Sequence, residues 1–223
     1  MRPALPPEKV VAVYDRAARR YDRQHALLTL GSDRRGRRLV VQQTVAPGMR
    51  VLDAGGGTGS TALLAAEAVG PSGRVILLDL TPAMLWVARR RAARQHLEAR
   101  ITPVIGDMLR LPFAGGAFDA VLSTYSACPL YDPVAGVREL YRVLRPGGRL
   151  GVAHSAEPEH PLVRRLAAMV EAVVWRFPAL SLGCRPVETL PALVQAGAIL
   201  RFRKHIGVPL WPFLVYVVEK PVT

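Results

Sequence analysis

Cysteine, lysine and long apolar runs are all scarce in this chain of 223 residues. Two cysteines, Cys128 and Cys184, cannot form a disulfide framework, and they lack the spacing of a metal site, so no bound metal is expected. No uninterrupted apolar stretch approaches the ~18 residues that a membrane-spanning helix requires. The N-terminal sequence also lacks the apolar core of a signal peptide. These absences favour a cytoplasmic globular protein.

Because lysine is so rare, arginine carries almost all of the positive charge. The formal net charge is +13, and lysine occurs only at positions 9, 204 and 220, which leaves 30 − 3 = 27 arginines. The arginine clusters at 34–38 (RRGRR) and 88–95 (ARRRAARQ) are interpreted as solvated faces, with contact to an anionic membrane as the alternative. Nucleic-acid binding is disfavoured, because no aromatic residues interleave with these arginines as stacking platforms.

The order of helical and strand patterns predicts an α/β protein with a doubly wound, mostly parallel sheet. Apolar residues at three- and four-residue spacing predict one helix over about 7–30 and another over 33–45. Short apolar strands then alternate with amphipathic helices, which is typical of a parallel sheet covered on both faces. The five expected strands are RVLDAGG, GRVILLDL, ITPVIGDM, FDAVLSTYS and RLGVAHS. Helices over 160–177 and 188–196 and a closing pair of strands complete the expected single domain.

The stretch VLDAGGGTGS, residues 51–60, ends a buried strand at an acid followed by four glycines. Its pattern D-x-G-x-G-x-G places Asp53 ahead of Gly55, Gly57 and Gly59. A phosphate-binding P-loop is excluded, because no Gly-Lys-Ser/Thr sequence follows. Glycines without Cβ atoms allow a nucleoside to lie against the backbone, and a nearby carboxylate favours a ligand with a cationic centre.

Two further acids close the second and third expected strands. Asp79 is placed to accept hydrogen bonds from both ribose hydroxyls, and Asp107 to accept from an exocyclic adenine amine. Leu80 and Met84 would offer apolar contacts to the base. Each acid alone could instead cap a helix, but together they describe a nucleoside that bears positive charge. S-adenosylmethionine is the candidate that fits this description.

These residues resemble the class I S-adenosylmethionine-dependent methyltransferases over about 46–155. VLDAGGGTG, LLDLTPAML, GDMLRLPFAGGAFDAV and YRVLRPGGRL follow the order and spacing of that family. YDRQHALLTLG at 21–31 and RVLRPGGRL at 142–150 are most similar to the ubiquinone/menaquinone biosynthesis (UbiE-type) methyltransferases. The chain departs from that pattern at His25, Cys128 and His154, which stand where the family has asparagine, arginine and glutamate.

The resemblance implies a Rossmann-like, seven-stranded sheet with a terminal antiparallel strand and a helical N-terminal lid. It implies one S-adenosylmethionine-dependent methyltransferase domain over 1–223, with the lid at 1–45, the cofactor-binding core at 46–155 and substrate-side helices and closing strands at 156–223. S-adenosyl-L-homocysteine would be the product. The expected cofactor-binding residues are Asp53, Ala54, Gly55, Gly57, Thr58, Gly59, Asp79, Leu80, Met84, Gly106, Asp107, Met108 and Thr124.

The candidate catalytic residues are His154, His25 and Tyr125. A phenol or hydroquinone acceptor needs a general base, and the ~6.5 pKa of histidine suits that role. His154 is the first choice and His25, on the expected lid, the second; a structural hydrogen-bonded role is the alternative for both. Tyr125 would orient the acceptor or face a cation. The expected substrate-binding residues, for which core packing is the alternative, are Tyr14, Tyr21, Cys128 and Trp175.

The sequence thus predicts methyl transfer to a small, lipophilic acceptor, either quinone-like or another carbon or oxygen nucleophile. N-methylation of a phospholipid or small amine is an alternative that needs no general base. RNA methylation and non-catalytic binding of S-adenosylmethionine are further alternatives, supported only by the arginine clusters. The apolar pattern of 160–177 favours a cover for a lipophilic acceptor, which the protein would meet at the periphery of an anionic membrane. Core packing or a dimer contact is the alternative.

Overall fold

The computed structural model describes residues 6–174, 176–177 and 184–222. Its N-terminal part contains three helices, α1 (Pro7–Ala17), α2 (Tyr21–Leu28) and α3 (Ser32–Thr44). The single helix expected over 7–30 was therefore wrong: the chain turns after α1, where the Arg20 amide bonds to the Ala17 carbonyl at 2.7 Å. A second turn follows α2, where Leu30 and Gly31 have φ values of +50° and +74°.

Seven strands form one sheet in the order β3-β2-β1-β4-β5-β7-β6. The strands are β1 (Arg50–Ala54), β2 (Arg74–Asp79), β3 (Ile101–Ile105), β4 (Phe118–Thr124), β5 (Leu144–Ser155), β6 (Ile199–Val208) and β7 (Trp211–Glu219). The first five pair in parallel, whereas β7 runs antiparallel to both β5 and β6. The predicted fold, a doubly wound and mostly parallel seven-stranded sheet with a terminal antiparallel strand, is confirmed.

Among the described residues, five further helices follow the first strand: α4 (Ser60–Val69), α5 (Pro82–Arg94), α6 (Pro133–Val143), α7 (Pro161–Val174) and α8 (Leu190–Gln195). Both faces of the sheet are covered. Val51 of β1 packs in a core with residues of α3, α4 and α5, whereas its neighbour Leu52 packs with residues of α6 and α8. Successive side chains of a strand point to opposite faces, so this alternation assigns each residue of β1 to one layer.

The strand order reverses between β1 and β4, where chain connections leave in opposite directions. In open sheets of this kind, ligands bind beyond the carboxyl ends of the strands at the point of reversal. The glycine-rich segment after β1 and the acids at the ends of β2 and β3 lie at this edge. Within the described ranges, no helix is both long enough and apolar enough to cross a bilayer.

Candidate functional site

A pocket opens at the point where the strand order reverses. It encloses about 740 Å³ of space free of atoms, including its open mouth, which lies in the size range of small-molecule sites. The ends of the central strands form its floor, and α1 and α2 form part of its wall. The residues that line it are Val10, Val11, Tyr14, Tyr21, Arg37, Gly55, Gly56, Gly57, Leu78, Asp79, Leu80, Thr81, Met84, Gly106, Asp107, Met108, Thr124, Tyr125, Ser126, Pro129 and Leu130.

The glycines after β1 leave the floor of this pocket without side chains. Gly57 has φ +56°, and a Cβ built there would lie 4.0 Å from both the Asp79 carboxylate and the Met84 sulfur. Gly55 has φ +65°, and its Cβ would come within 2.5 Å of Ser126. The loop therefore needs glycine for its backbone conformation, and at Gly57 it also needs glycine to leave the pocket open.

Asp79 lines the pocket while it holds the two loops beside it. Its Oδ2 accepts a hydrogen bond from the Gly57 amide at 2.9 Å, and its Oδ1 accepts one from the Thr81 amide at 2.9 Å. Burial raises the pKa of this carboxyl, and the hydrogen bonds from the backbone oppose that effect. Each oxygen has a second lone pair, so Asp79 can still accept hydrogen bonds from a ligand.

Asp107 has a similar arrangement at the end of β3. Its Oδ1 accepts a hydrogen bond from the Leu109 amide at 2.8 Å, and the residue lines the pocket. The structure therefore brings together nine of the expected cofactor-binding residues along the pocket. These are Gly55, Gly57, Asp79, Leu80, Met84, Gly106, Asp107, Met108 and Thr124.

Four other expected cofactor-binding residues lie behind the pocket wall: Asp53, Ala54, Thr58 and Gly59. The Asp53 carboxylate is fully buried beneath the loop, and a Cβ on Gly56 would lie 2.6 Å from its Oδ2. Burial raises the pKa of Asp53 to about 7, against the opposing effects of the Arg37 guanidinium and the Ala62 amide. The structure thus differs from the expectation of an Asp53 beside the ligand, because the alternation of β1 turns its side chain inward.

This carboxyl predicts a specific pH dependence of stability. Its pKa is raised from an ordinary value of 3.8 to about 7, so the folded state keeps a proton that the unfolded state has released. The resulting stabilisation is present below the unfolded pKa and is lost as pH rises to the folded pKa, by about 1.4 kcal/mol per pH unit.

Asp53→Asn should therefore gain stability relative to the wild type as pH rises through this window. Urea unfolding of both proteins at several pH values measures the difference in free energy of unfolding. Asp15→Asn, at an exposed position of α1, is the control and should track the wild type. A difference between Asp53→Asn and wild type that stays constant with pH would contradict the assignment.

Arg37 is a pocket residue that the sequence did not reveal. It belongs to the RRGRR cluster interpreted as a solvated face, yet it is only 5% exposed, while Arg34, Arg35 and Arg38 are exposed. Its Nη1 donates to Thr61 Oγ1 at 3.0 Å and to Thr124 Oγ1 at 2.8 Å. Its guanidinium also lies 5.1 Å from the centre of the Tyr125 ring. Arg37 therefore gives the pocket a fixed positive charge.

His154 lies outside the pocket, in a hydrogen-bonded network of the core. Its Nδ1 donates to the Ser155 carbonyl at 2.9 Å, and its Nε2 accepts from Thr189 Oγ1 at 3.2 Å. Thr189 is in turn 2.8 Å from the Tyr216 hydroxyl. Burial lowers the pKa of His154 to about 4. Both ring nitrogens are thus occupied, which corresponds to the structural role and does not place His154 beside an acceptor.

His25 lies directly behind two aromatic residues of the pocket wall. Its ring stacks on Tyr21 at 5.3 Å and meets Tyr125 edge to face at 5.1 Å. Its Nδ1 is 3.3 Å from Asp33 Oδ2. Burial lowers the pKa of His25, while Asp33 opposes this effect. His25 is therefore neutral near pH 7 and lies beside a carboxylate, two properties of a general base, but it does not line the pocket itself.

Tyr125 lines the pocket in a backbone conformation that is rare for its type, with φ +60°. Gly36 makes room for it, because a Cβ at that position would overlap the Tyr125 hydroxyl. The expected substrate-binding residues Tyr14 and Tyr21 also line the pocket. Cys128 is fully buried next to Pro129 of the pocket wall. Trp175 lies outside the described residues.

The ubiE/COQ5 methyltransferase family profile matches residues 4–177, a span that includes every part of the pocket. The chain belongs to this family. It is 35% identical over 160 residues to the ubiquinone/menaquinone biosynthesis C-methyltransferase UbiE of Ectopseudomonas mendocina, which covers 71% of this chain and 62% of that protein. It is 39% identical over 162 residues to the demethylmenaquinone methyltransferase of Clavibacter sepedonicus, with 71% and 63% covered.

The chain therefore spans less than two thirds of the length of these ubiE/COQ5 relatives. Solved structures share its fold at lower identity. The (4+2)-cyclase SpnF superimposes with a TM-score of 0.69 at 22% identity, over 87% of this chain and 82% of that one. A geranyl diphosphate C-methyltransferase from Streptomyces coelicolor does so with a TM-score of 0.64 at 17% identity, over 79% and 74%.

In this ubiE/COQ5 family member, Asp22 fastens α2 to the glycine-rich loop. Its Oδ1 accepts hydrogen bonds from Thr58 Oγ1 at 2.8 Å and Ser60 Oγ at 3.0 Å. Its Oδ2 pairs with Arg91 Nη1 of α5 at 2.9 Å. Thr58, expected to touch the cofactor, therefore uses its side chain to hold the lid. We call Asp22, Thr58, Ser60 and Arg91 the lid latch.

Asp22→Ala should loosen α1 and α2 without unfolding the sheet. Because the Asp22 side chain is 42% exposed, solvent screens these contacts, and their combined loss is expected to be about 1.4 kcal/mol. Amide hydrogen exchange over 7–28 should then accelerate about tenfold, a factor equivalent to that energy. Asp15→Ala, an exposed acid on α1 outside the latch, is the control. Unchanged exchange in Asp22→Ala would show that the latch does not hold the lid.

Proposed function

We propose that this chain transfers a methyl group from S-adenosylmethionine to a small, lipophilic acceptor of the quinone type. The observation that supports this most directly is the pocket floor, where a Cβ-free loop faces the Asp79 carboxylate at the point of strand reversal. There a nucleoside can lie against the backbone and at the same time form hydrogen bonds with a carboxylate. The names of the ubiE/COQ5 relatives support a quinone-type acceptor.

The residues of the pocket fit S-adenosylmethionine. Asp79 would accept hydrogen bonds from the ribose hydroxyls, Asp107 would accept from the adenine amine, and Leu80 and Met84 would pack against the base. Acids dominate this half of the pocket, which favours a cationic ligand over a pyrophosphate. When bound, S-adenosylmethionine supplies a methyl group on a positively charged sulfur.

The chain's own residues would prepare the acceptor for methyl transfer. His25, neutral and beside Asp33, is the proposed general base for the hydroxyl of a reduced quinone, which would have to reach it between Tyr21 and Tyr125. Arg37 would stabilise the oxyanion formed when that proton leaves, since its guanidinium is buried and charge interactions are strong in such surroundings. Tyr125, which lies against both His25 and Arg37, would orient the acceptor.

The N-terminal helices would keep water from the reaction. Val10, Val11 and Tyr14 of α1 and Tyr21 of α2 line the pocket, and the lid latch holds α2 over the glycine-rich loop. Excluding water protects the methyl donor and strengthens the charge interactions inside. In this proposal, the lid spans 1–45, the cofactor-binding core 46–155 and the substrate-side elements 156–223.

We further propose that the protein meets its acceptor in the cytoplasm, at the surface of an anionic membrane. Leu27, in the last turn of α2, and Leu30, in the turn that follows it, are 76% and 70% exposed. The arginines at 23, 34, 35 and 38, which flank these leucines in the sequence, are also exposed. Exposed apolar side chains that are flanked by cationic ones bind to the surface of membranes that contain anionic lipids. The protein should float with anionic liposomes and remain in solution with neutral ones; recovery wholly in solution with both would remove this part of the proposal.

Incubation with S-adenosylmethionine labelled in its methyl group tests the reaction. The acceptors are a reduced, demethylated prenyl naphthoquinone, phosphatidylethanolamine vesicles and RNA, each supplied separately. Label should enter the naphthoquinone only, and His25→Ala should abolish this incorporation while the protein still binds S-adenosyl-L-homocysteine. Label in the phospholipid or in RNA, or in none of the three, would overturn the proposed acceptor.

A further inference from the structure

Trp86, on the part of α5 that packs against α1, carries two arginine side chains on its ring. The indole is 46% exposed. The Arg90 guanidinium, one helical turn later, lies 4.8 Å from the centre of the ring, and the Arg19 guanidinium, just beyond the end of α1, lies 5.6 Å from it. The arginine cluster at 88–95, interpreted from the sequence as a solvated face, therefore has an aromatic partner.

Two surface grooves meet at Trp86, and exposed arginines line both of them. These arginines are Arg16, Arg19, Arg20, Arg89 and Arg90. The exposed acids Asp15 and Glu98 also line the grooves. Within the part of the chain that the structure describes, however, none of the five arginines forms an ion pair. The grooves therefore carry a net positive charge that is available to an anion.

The same grooves offer apolar contacts. Six apolar residues line them: Ala18, Ala83 and Val87 in the groove beside α1, and Leu77, Ile101 and Pro103 in the other. Positive charge and apolar contacts together fit a ligand that is anionic at one end and apolar at the other. We call Trp86 and the two grooves the arginine–tryptophan surface.

We propose that the arginine–tryptophan surface is a binding site for an anionic phospholipid. The lipid phosphate would lie between the Arg19 and Arg90 guanidinium groups and offset the repulsion between them. The indole would lie at the level of the headgroups, where tryptophan is enriched in membrane proteins, and the acyl chains would begin on the apolar residues of the grooves. Single-stranded RNA fits less well, because guanidinium groups already lie over the ring on which a base would stack.

The lid helix α1 contributes to both the pocket and this surface. Val10, Val11 and Tyr14 line the pocket, whereas Arg16 lines the groove between α1 and α5. A phospholipid bound in the groove would bring the lid to the membrane from which a lipophilic acceptor comes. The inference rests on the proposed function in this respect, because it gives the proposed membrane contact a specific lipid site.

Titration of the full chain with dihexanoyl phosphatidylglycerol, kept below its critical micelle concentration, tests the proposal. NMR of the indole N–H groups follows binding, and the Trp86 signal is the one that disappears in Trp86→Phe. This signal should shift saturably with phosphatidylglycerol, whereas dihexanoyl phosphatidylcholine and an oligo-uridine RNA should bind far more weakly. Equal affinity for the two lipids, higher affinity for the RNA, or no shift with phosphatidylglycerol would overturn the proposal.

Two double variants separate this site from the general charge of the protein. Arg19→Gln/Arg90→Gln should weaken phosphatidylglycerol binding about tenfold, because the two charges that face the phosphate are lost. Arg138→Gln/Arg203→Gln removes the same charge from exposed positions of α6 and β6 and should leave the affinity nearly unchanged. Equal weakening in the two variants would mean that net charge, and not this surface, attracts the lipid.

Binding of S-adenosyl-L-homocysteine, which should be unaltered in both double variants, verifies that they fold. The labelled-methyl assay then keeps this inference distinct from the proposed function. A chain that binds phosphatidylglycerol at Trp86 but labels no acceptor would contradict the proposed function alone. A chain that labels the naphthoquinone but does not bind the lipid would contradict this inference alone.

Discussion

Asp79→Asn should weaken binding of S-adenosyl-L-homocysteine by at least a hundredfold. The wild-type carboxylate accepts the amide hydrogens of Gly57 and Thr81 on its two oxygens and has lone pairs left for a ribose. Asparagine has almost the same shape, but its NH₂ group must face one of these donors. That loss, together with a weaker bond to ribose, costs about 3 kcal/mol, which is equivalent to the stated factor.

Calorimetric titration of the two proteins measures this effect. Glu67→Gln, at an exposed position of α4, is the matched change from acid to amide and should leave the affinity unaltered. Thermal unfolding of the ligand-free variants separates a local effect on binding from general loss of structure. If Asp79→Asn folds normally and binds with wild-type affinity, the nucleoside site cannot lie where we place it.

Gly57→Val should abolish cofactor binding for a different reason. The glycine has φ +56°, and its missing Cβ faces Asp79 and Met84 across the pocket. Valine would be strained in this conformation by about 1–2 kcal/mol, and its branched side chain would fill the space proposed for the nucleoside. The expected result is no detectable heat of binding for S-adenosyl-L-homocysteine at concentrations that saturate the wild type.

Gly197→Val provides the control for backbone strain alone. Gly197 has φ +85°, and no atom lies within 4 Å of the Cβ that a substitution would add. It follows α8, away from the pocket. This variant should lose a similar amount of stability yet bind S-adenosyl-L-homocysteine as the wild type does. Equal loss of binding in both variants would mean that strain, and not the space above Gly57, explains the effect.

The sheet could be predicted from the sequence because strands that are buried on both faces have a recognisable apolar pattern. Parallel strands appear as short apolar runs, and the alternation of runs with amphipathic helices defines their direction. The pocket acids followed from this alone, since Asp79 and Asp107 had to end neighbouring strands at one edge. The turn at Ala18–Arg20 was missed because apolar spacing continues across it, and only the packing of α1 and α2 reveals the break.

Arg37 and Asp53 show what local patterns cannot supply. Four neighbouring arginines look alike in sequence, and only the packing of α3 on the sheet decides that Arg37 alone is buried among polar groups. For Asp53 the sequence did contain an indication. Asp53 lies two residues after Val51 on β1 and so points to the same face of the sheet, where Val51 packs with α3 and α4. Counting the alternation of side chains along β1 would have predicted that the Asp53 carboxylate points away from the ligand. His154 likewise lies two residues after Val152 on β5 and points to the same face as Val152, toward the core layer on the other side of the sheet from Asp53.

The lid latch couples the conformation of the glycine-rich loop to the position of α2. Asp22 bonds to Thr58 and Ser60, which immediately flank Gly59 of the loop, so order in the loop and closure of α2 rise together. A first ligand that orders the loop then raises the affinity for a second ligand under α1 and α2, and by linkage the second raises the affinity for the first to the same degree. Under the proposed function, Asp22 would couple the binding of the methyl donor to the binding of the acceptor.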